Sequence, residues 1–269
     1  EDVGAALAQI QKAVQMQPQS VMAMRGAANV YMAGGRYEEA ELMLGKLLAL
    51  SSEDAMIHRD LGLIYLYEGD TERALEAGEK AVALAPESAS GYHLLGAIAF
   101  EEKDFETAEK HLKKAVTLDP ESIGSHYLLG SIHFEQDRLP QAVDELSLVT
   151  KKEQAFAAAH SLIGLCYLKM NLHLHALTSF KRAVELDPDD YKSMYNVACV
   201  YSLENKPHPA VKWLERAVEM GFSDFEHMEE DGDLGNIRKH PGYIRLLETA
   251  DAESQPNMAE DFSAVEMPD

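Results

Sequence analysis

An all-α solenoid of stacked antiparallel helix pairs is predicted by three observations in this 269-residue sequence. Small residues recur 34 positions apart at Ala40, Ala74, Ala108, Ala142, Ala176 and Ala210. Glycines follow the same period at Gly62, Gly96, Gly130 and Gly164, with Ala28 and Ala198 at the two outer copies. Prolines fall at multiples of it, at Pro18, Pro86, Pro120 and Pro188. A fixed period of this length marks a helical repeat in which each copy buries its apolar face on its neighbours. The clearest copy is 89–122, ASGYHLLGAIAFEEKDFETAEKHLKKAVTLDPES, which reads as two amphipathic helices ending in Asp-Pro.

Residues 1–20 match only the second half of this frame. Ala6, Ala13 and Pro18 stand where Ala108, Ala115 and Pro120 stand in the reference copy. The chain therefore opens on the second helix of a partial repeat. It begins with Glu1 and not Met, so truncation inside a repeat is expected over a natural cap. Six full copies follow, at 21–54, 55–88, 89–122, 123–156, 157–190 and 191–224. Each first helix carries a large residue, then Gly or Ala, and usually an aromatic three positions on, as in Leu61-Gly62…Tyr65 and Ile163-Gly164…Tyr167. These positions mark the face packed on the second helix, where a missing side chain lets two backbones approach. Between the two helices stand Gly34-Gly35, Gly69-Asp70, Lys103-Asp104, Asp137-Arg138, Asn171 and Asn205. Gly and Asn tolerate the left-handed conformation that ends a helix. Pro140 and Pro207 fall near the start of second helices, where a missing amide costs least. Copies 21–54 and 123–156 lack the closing proline and carry Leu47 and Val149 in place of a small Ala, which predicts altered stacking after each.

The frame stops after Phe222. Residues 225–250 read as short capping helices, with Trp213, the sole tryptophan, expected beneath them. Residues 251–269 carry six acidic side chains without periodicity and read as an acidic, disordered tail.

The net charge of −22 sets a field that repels phosphate backbones and excludes nucleic acid as the main partner. No apolar run approaches the roughly 18 residues needed to cross a bilayer, so no membrane insertion is expected. No secretory signal is visible, and the two cysteines, Cys166 and Cys199, sit among apolar residues and make no disulfide framework. A cytoplasmic location is the corresponding expectation.

Eleven histidines raise the question of a metal. His58, His126 and His160 occupy equivalent sites in separate copies and read as interface residues. His173 and His175 lie in a turn without a nearby carboxylate or cysteine. No HExxH, CxxC, phosphate loop or nucleophile elbow occurs. The expectation is no metal, no cofactor and no catalysis.

Tyr92…Leu95-Gly96…Ala108…Leu112…Ala115…Pro120 resembles the tetratricopeptide repeat, a 34-residue helix–turn–helix unit. The resemblance covers roughly residues 1–224 and is specific, because six copies agree without insertions. It implies a right-handed superhelix whose first helices line a concave groove that binds peptides or protein segments. The face of each first helix turned away from its second helix carries residues at i, i+4 and i+7. Those positions nominate Arg25, Asn29, Arg59, Leu63, His93, Phe100, Tyr127, Phe134 and Tyr195 as the binding stripe, since arginine and aromatic side chains are the usual anchors of interfaces. Some family members grip a terminal carboxylate in such a groove. Only Arg25 and Asn29 match that clamp here, and Asp60, Ser90 and Leu94 depart from it, which argues against that ligand.

The sequence thus reads as a non-catalytic interaction scaffold. The alternative is the recognition or regulatory arm of a larger enzyme or sensor. In a chain this acidic, Arg25 and Arg59 read as a cationic spot, so the expected partner is a protein segment, acidic with Met or Phe anchors. The chain's own tail, 251–269, has that composition.

Overall fold

The computed structural model describes residues 3–16 and 20–254. Every regular element among them is helical. The chain divides into two compact units, 1–137 and 138–269. The first holds α1 (Val3–Met16), α2 (Val21–Ala33), α3 (Tyr37–Leu50), α4 (Ala55–Tyr67), α5 (Thr71–Leu84), α6 (Ala89–Glu101), α7 (Phe105–Leu118) and α8 (Ile123–Glu135). The second holds α9 (Leu139–Lys152), α10 (Ala157–Lys169), α11 (His173–Leu186), α12 (Tyr191–Leu203), α13 (Pro207–Glu219), α14 (Phe225–Glu230), a 3-10 turn (Gly232–Ile237) and α15 (Pro241–Ser254). Consecutive helices pack as antiparallel pairs, α2 on α3, α4 on α5, α6 on α7, α10 on α11 and α12 on α13.

The small residues explain how closely the pairs approach. A Cβ on Gly96 would lie 2.5 Å from Leu112 Cγ, and one on Gly164 would lie 2.6 Å from the Phe180 ring. The glycines of the repeat are therefore set by sterics, with a bulky second-helix residue filling the vacated space. The alanines at 40, 74, 108, 142, 176 and 210 are fully buried at the same layer.

Each turn within a pair uses one left-handed residue. Gly35, Gly69, Lys103, Asp137, Asn171 and Asn205 have φ between 57° and 79° and stand 34 residues apart. The following amide donates back to a carbonyl in the helix it has just left, as from Asp70 to Tyr65 (2.8 Å), Asp104 to Ala99 (2.9 Å) and Lys206 to Tyr201 (2.9 Å). This satisfies carbonyls that the helix end would orphan. Asp54, Asp70, Asp104, Asp190 and Asp224 then cap the next helices through their carboxylates.

Leu47 and Val149, the two enlarged positions, are both fully buried, and Leu47 shares its cluster with Ile57 and Leu61 of α4. In the second unit, Met228, Leu234, Ile237 and Tyr243 bury themselves against Met194, Ala198, Val211 and Leu214 of α12 and α13. Tyr243 fastens α15 to α14 by donating to the Met228 carbonyl at 2.7 Å. Trp213 is partly buried against this same cluster, as expected, and also packs toward the preceding pair. Its ring meets the Arg216 guanidinium and lines a cavity with Lys181, Val184 and Glu185 of α11, because the side chain leaves α13 on the side of the preceding pair. The helix α15 continues through residue 254, and residues 255–269 of the acidic tail lie outside the described residues.

No helix among the described residues is long and apolar enough to cross a membrane.

Candidate protein-interaction face

Positions 25, 59, 93 and 127 stand at the same place on α2, α4, α6 and α8 of the first unit. Instead of a bare cationic spot, the two arginines carry carboxylate partners. Arg25 reaches across to Asp54, the N-cap of α4, at 2.5 Å, and its other nitrogen approaches the Met56 sulfur at 3.6 Å. Arg59 pairs with Asp60 at 2.8 Å. This corrects the charge reading: two guanidiniums and two carboxylates nearly cancel. Asp54 caps α4, the helix that Arg25 reaches, and Asp60 follows Arg59 on α4 itself.

The acids respond in opposite directions. Burial works to raise Asp54, but the hydrogen bonds from Arg25 and the Met56 amide prevail and hold its carboxyl below the usual range. Asp60, only 5% exposed, is pushed upward by burial in spite of Arg59. Asp60 is therefore turned into the protein and presents no carboxylate to a ligand.

His93 is largely buried, and its Nδ1 lies 3.0 Å from the Ser125 hydroxyl of α8, which in turn receives the Ser122 hydroxyl at 2.8 Å. Burial first, and the nearby Arg59 second, push the His93 imidazole below its ordinary pKa. In the second unit Ser193 donates to Ser161 at 2.9 Å with the same 32-residue separation. Stripe positions thus stitch successive first helices together as well as facing outward.

The remaining stripe residues divide by exposure. Asn29 is exposed, Leu63 is half-buried against Leu94 and Ile98, and Phe100 tilts on Phe105 at 5.8 Å. Tyr127 and Phe134 are half-buried, and burial raises the Tyr127 phenol. Sequence reasoning passed over Met22 and Met56, one turn before Arg25 and Arg59, which are 86% and 51% exposed. Position i−3 from each nominated arginine was the available signal.

Tyr195 does not lie on an open face. It is 6% exposed, donates to Asp231 Oδ2 at 2.7 Å and stacks on Phe222 at 4.7 Å. Cys199 donates to the same oxygen at 3.6 Å, and Asn236 donates to the Ser202 carbonyl at 2.9 Å. The segment after the last repeat occupies this part of the stripe. Burial drives both the Tyr195 phenol and the Cys199 thiol upward.

The interface histidines act locally. His58 and His126 each approach the carbonyl six residues upstream, Ser52 and Pro120, at 3.1 Å. His160 makes the equivalent bond to Gln154.

Sequence profiles described as Tetratricopeptide repeat match residues 1–55, 27–89 and 59–123, then 99–166, and finally 157–190 and 191–220. The chain belongs to the tetratricopeptide repeat family. Among solved structures, this tetratricopeptide repeat chain is similar to the Cut9-Hcn1 hetero-tetramer of the APC/C, with a TM-score of 0.75, 17% identity, 87% of this chain covered and 46% of that one. It is similar to pilF of Pseudomonas aeruginosa, with a TM-score of 0.69, 19% identity and 77% and 94% covered. A third similarity is to MamA, with a TM-score of 0.56, 24% identity and 64% and 98% covered. At these identities the likeness is one of fold. A chloroplastic protein of Arabidopsis thaliana is 39% identical over 57 residues, and that match spans 21% of this chain and 17% of the curated relative.

Proposed function

We propose that this chain is a non-catalytic interaction scaffold that receives a protein segment along the first-helix stripe of its first unit. The observation that carries this reading is the exposed methionine pair Met22 and Met56 beside Asn29 and the Arg25–Asp54 bridge. Unbranched thioether side chains standing in solvent adapt to varied apolar anchors. A partner of this face offers apolar side chains flanked by polar groups of either sign, because the arginines already hold carboxylates. The stripe thus comprises Met22, Arg25, Asn29, Met56, Arg59 and Leu63, with His93, Phe100, Tyr127 and Phe134 continuing it.

Affinity capture from a cell extract, comparing three proteins, tests this. A Met22→Glu/Asn29→Ala/Met56→Glu variant is expected to lose the partners retained by the unchanged chain. A Leu42→Glu/Leu75→Glu control, altered at exposed residues of α3 and α5, is expected to keep them. Equal retention by the stripe variant overturns the reading.

A further inference from the structure

The second unit contains a cavity of about 370 Å³ beside the occupied end of its stripe. Three aromatic rings line it: Tyr195 and Phe222, buried and stacked on each other at 4.7 Å, and the half-buried Tyr191, edge-on to Phe222 at 6.3 Å. Three carboxylates, Asp224, Asp231 and Asp233, line the same cavity, with Asp231 bonded to the Tyr195 hydroxyl at 2.7 Å. Aromatic faces and carboxylates together are the chemistry that receives an organic cation. Lys192 and His227 also line the cavity and are exposed. One ammonium against three carboxylates leaves the site net acidic, on a chain of net charge −22.

The carboxylates differ in how far their valences are spent. Asp231 accepts from Tyr195, Cys199 and the Asp233 amide, and Asp224 accepts from the His227 amide. Asp233 stands beside Asp231, and burial followed by that like charge pushes its carboxyl upward, with His173 opposing. A cation entering here removes a repulsion that the fold itself leaves in place.

We propose that this cavity is a binding site for an arginine side chain presented by a protein partner. Arginine suits the walls better than lysine because its planar guanidinium stacks on an aromatic face while forking to a carboxylate. The volume lies at the lower end of the roughly 300–1,000 Å³ of small-molecule pockets, room enough for a guanidinium and its stem. The inference rests on the scaffold reading only in taking the arginine from a protein; the site shares no residue with the methionine stripe.

Titration of the ¹⁵N-labelled full chain with the probe Ac-Gly-Arg-Gly-NH2 tests it, with Ac-Gly-Glu-Gly-NH2 as the counter-probe. Saturable amide shifts are expected at Tyr195, His227, Asp231 and Asp233 with the arginine probe alone. An Asp224→Asn/Asp233→Asn variant is expected to weaken binding by about fivefold. Asparagine keeps the α14 cap and relieves the Asp231–Asp233 repulsion, so this variant is expected to hold its melting temperature. Absent shifts, shifts unchanged in the variant, or equal response to the glutamate probe overturn the proposal. The Met22→Glu/Asn29→Ala/Met56→Glu variant is expected to bind the arginine probe normally, so failure of the stripe reading and failure of this one are distinguishable.

Discussion

Two glycines in comparable helical settings have opposite expected behaviour, and the difference is wholly steric. Gly164 faces the Phe180 ring, where a Cβ would meet three ring carbons within 2.9 Å. Gly45, on the exposed side of α3, has nothing within 4 Å of the same atom. Helix propensity favours alanine by about 1 kcal/mol at both. Overpacking against a rigid ring costs about 1–3 kcal/mol, and contacts as short as 2.6 Å place Gly164→Ala toward the upper end, so it is expected to destabilise by up to about 2 kcal/mol net. Gly45→Ala is expected to stabilise by about 0.5–1 kcal/mol. Urea unfolding of the two variants measures both signs. This contrast was legible in the sequence, since Gly164 is in phase with the 34-residue period and Gly45 is not. The arginines show the limit of such reading. Their place on α2 and α4 followed from helical spacing, but Asp54 lies 29 residues from Arg25, and only the packing of α4 beside α2 makes it a partner.

At the scale of elements, two joints between helices depend on single polar groups. The first is Asp231, which lies outside the repeat and holds Tyr195, Cys199 and the 3-10 turn at once. Asp231→Ala leaves a buried phenol without its acceptor and is expected to destabilise the second unit by about 2–3 kcal/mol. Peptide mapping after thiol labelling is expected to show Cys199, 2% exposed in the intact chain, reacting faster in this variant. No period points to Asp231, which is why Tyr195 reads as open in the sequence and is covered in the fold. The second joint is His93 between α6 and α8. Its folded pKa is lowered, so the unfolded chain binds the proton more tightly and stability falls as pH drops through the ordinary histidine value of about 6.5. His93→Gln is expected to flatten the loss of melting temperature between about pH 7 and pH 5. An unchanged slope would assign that loss to other groups, of which His111 and His160 are shifted the same way by burial.

For the whole molecule, periodicity settled the architecture because one contact scheme is reused. Left-handed turns, buried alanines and glycine approaches all repeat with the same spacing. Charge does not repeat in this way. Forty-six acidic residues stand against 24 basic ones, so long-range repulsion is a property of the sum. Local pairs oppose it, including Arg73–Asp70 at 2.6 Å, Lys113–Glu109 at 2.6 Å and Lys206–Glu204 at 2.7 Å. Each has an exposed cationic partner, and such pairs contribute little because water and salt screen them. The repulsion acts over greater distances and is screened more completely: the Debye length falls from about 30 Å at about 0.01 M salt to about 10 Å at about 0.1 M. Raising sodium chloride across this interval is therefore expected to raise the melting temperature. Potassium chloride should give the same rise, since screening depends on ionic strength and not on the cation. A fall in melting temperature would mean that the short pairs between neighbouring turns outweigh the net charge. A rise with one cation alone would point to specific binding among the carboxylates instead.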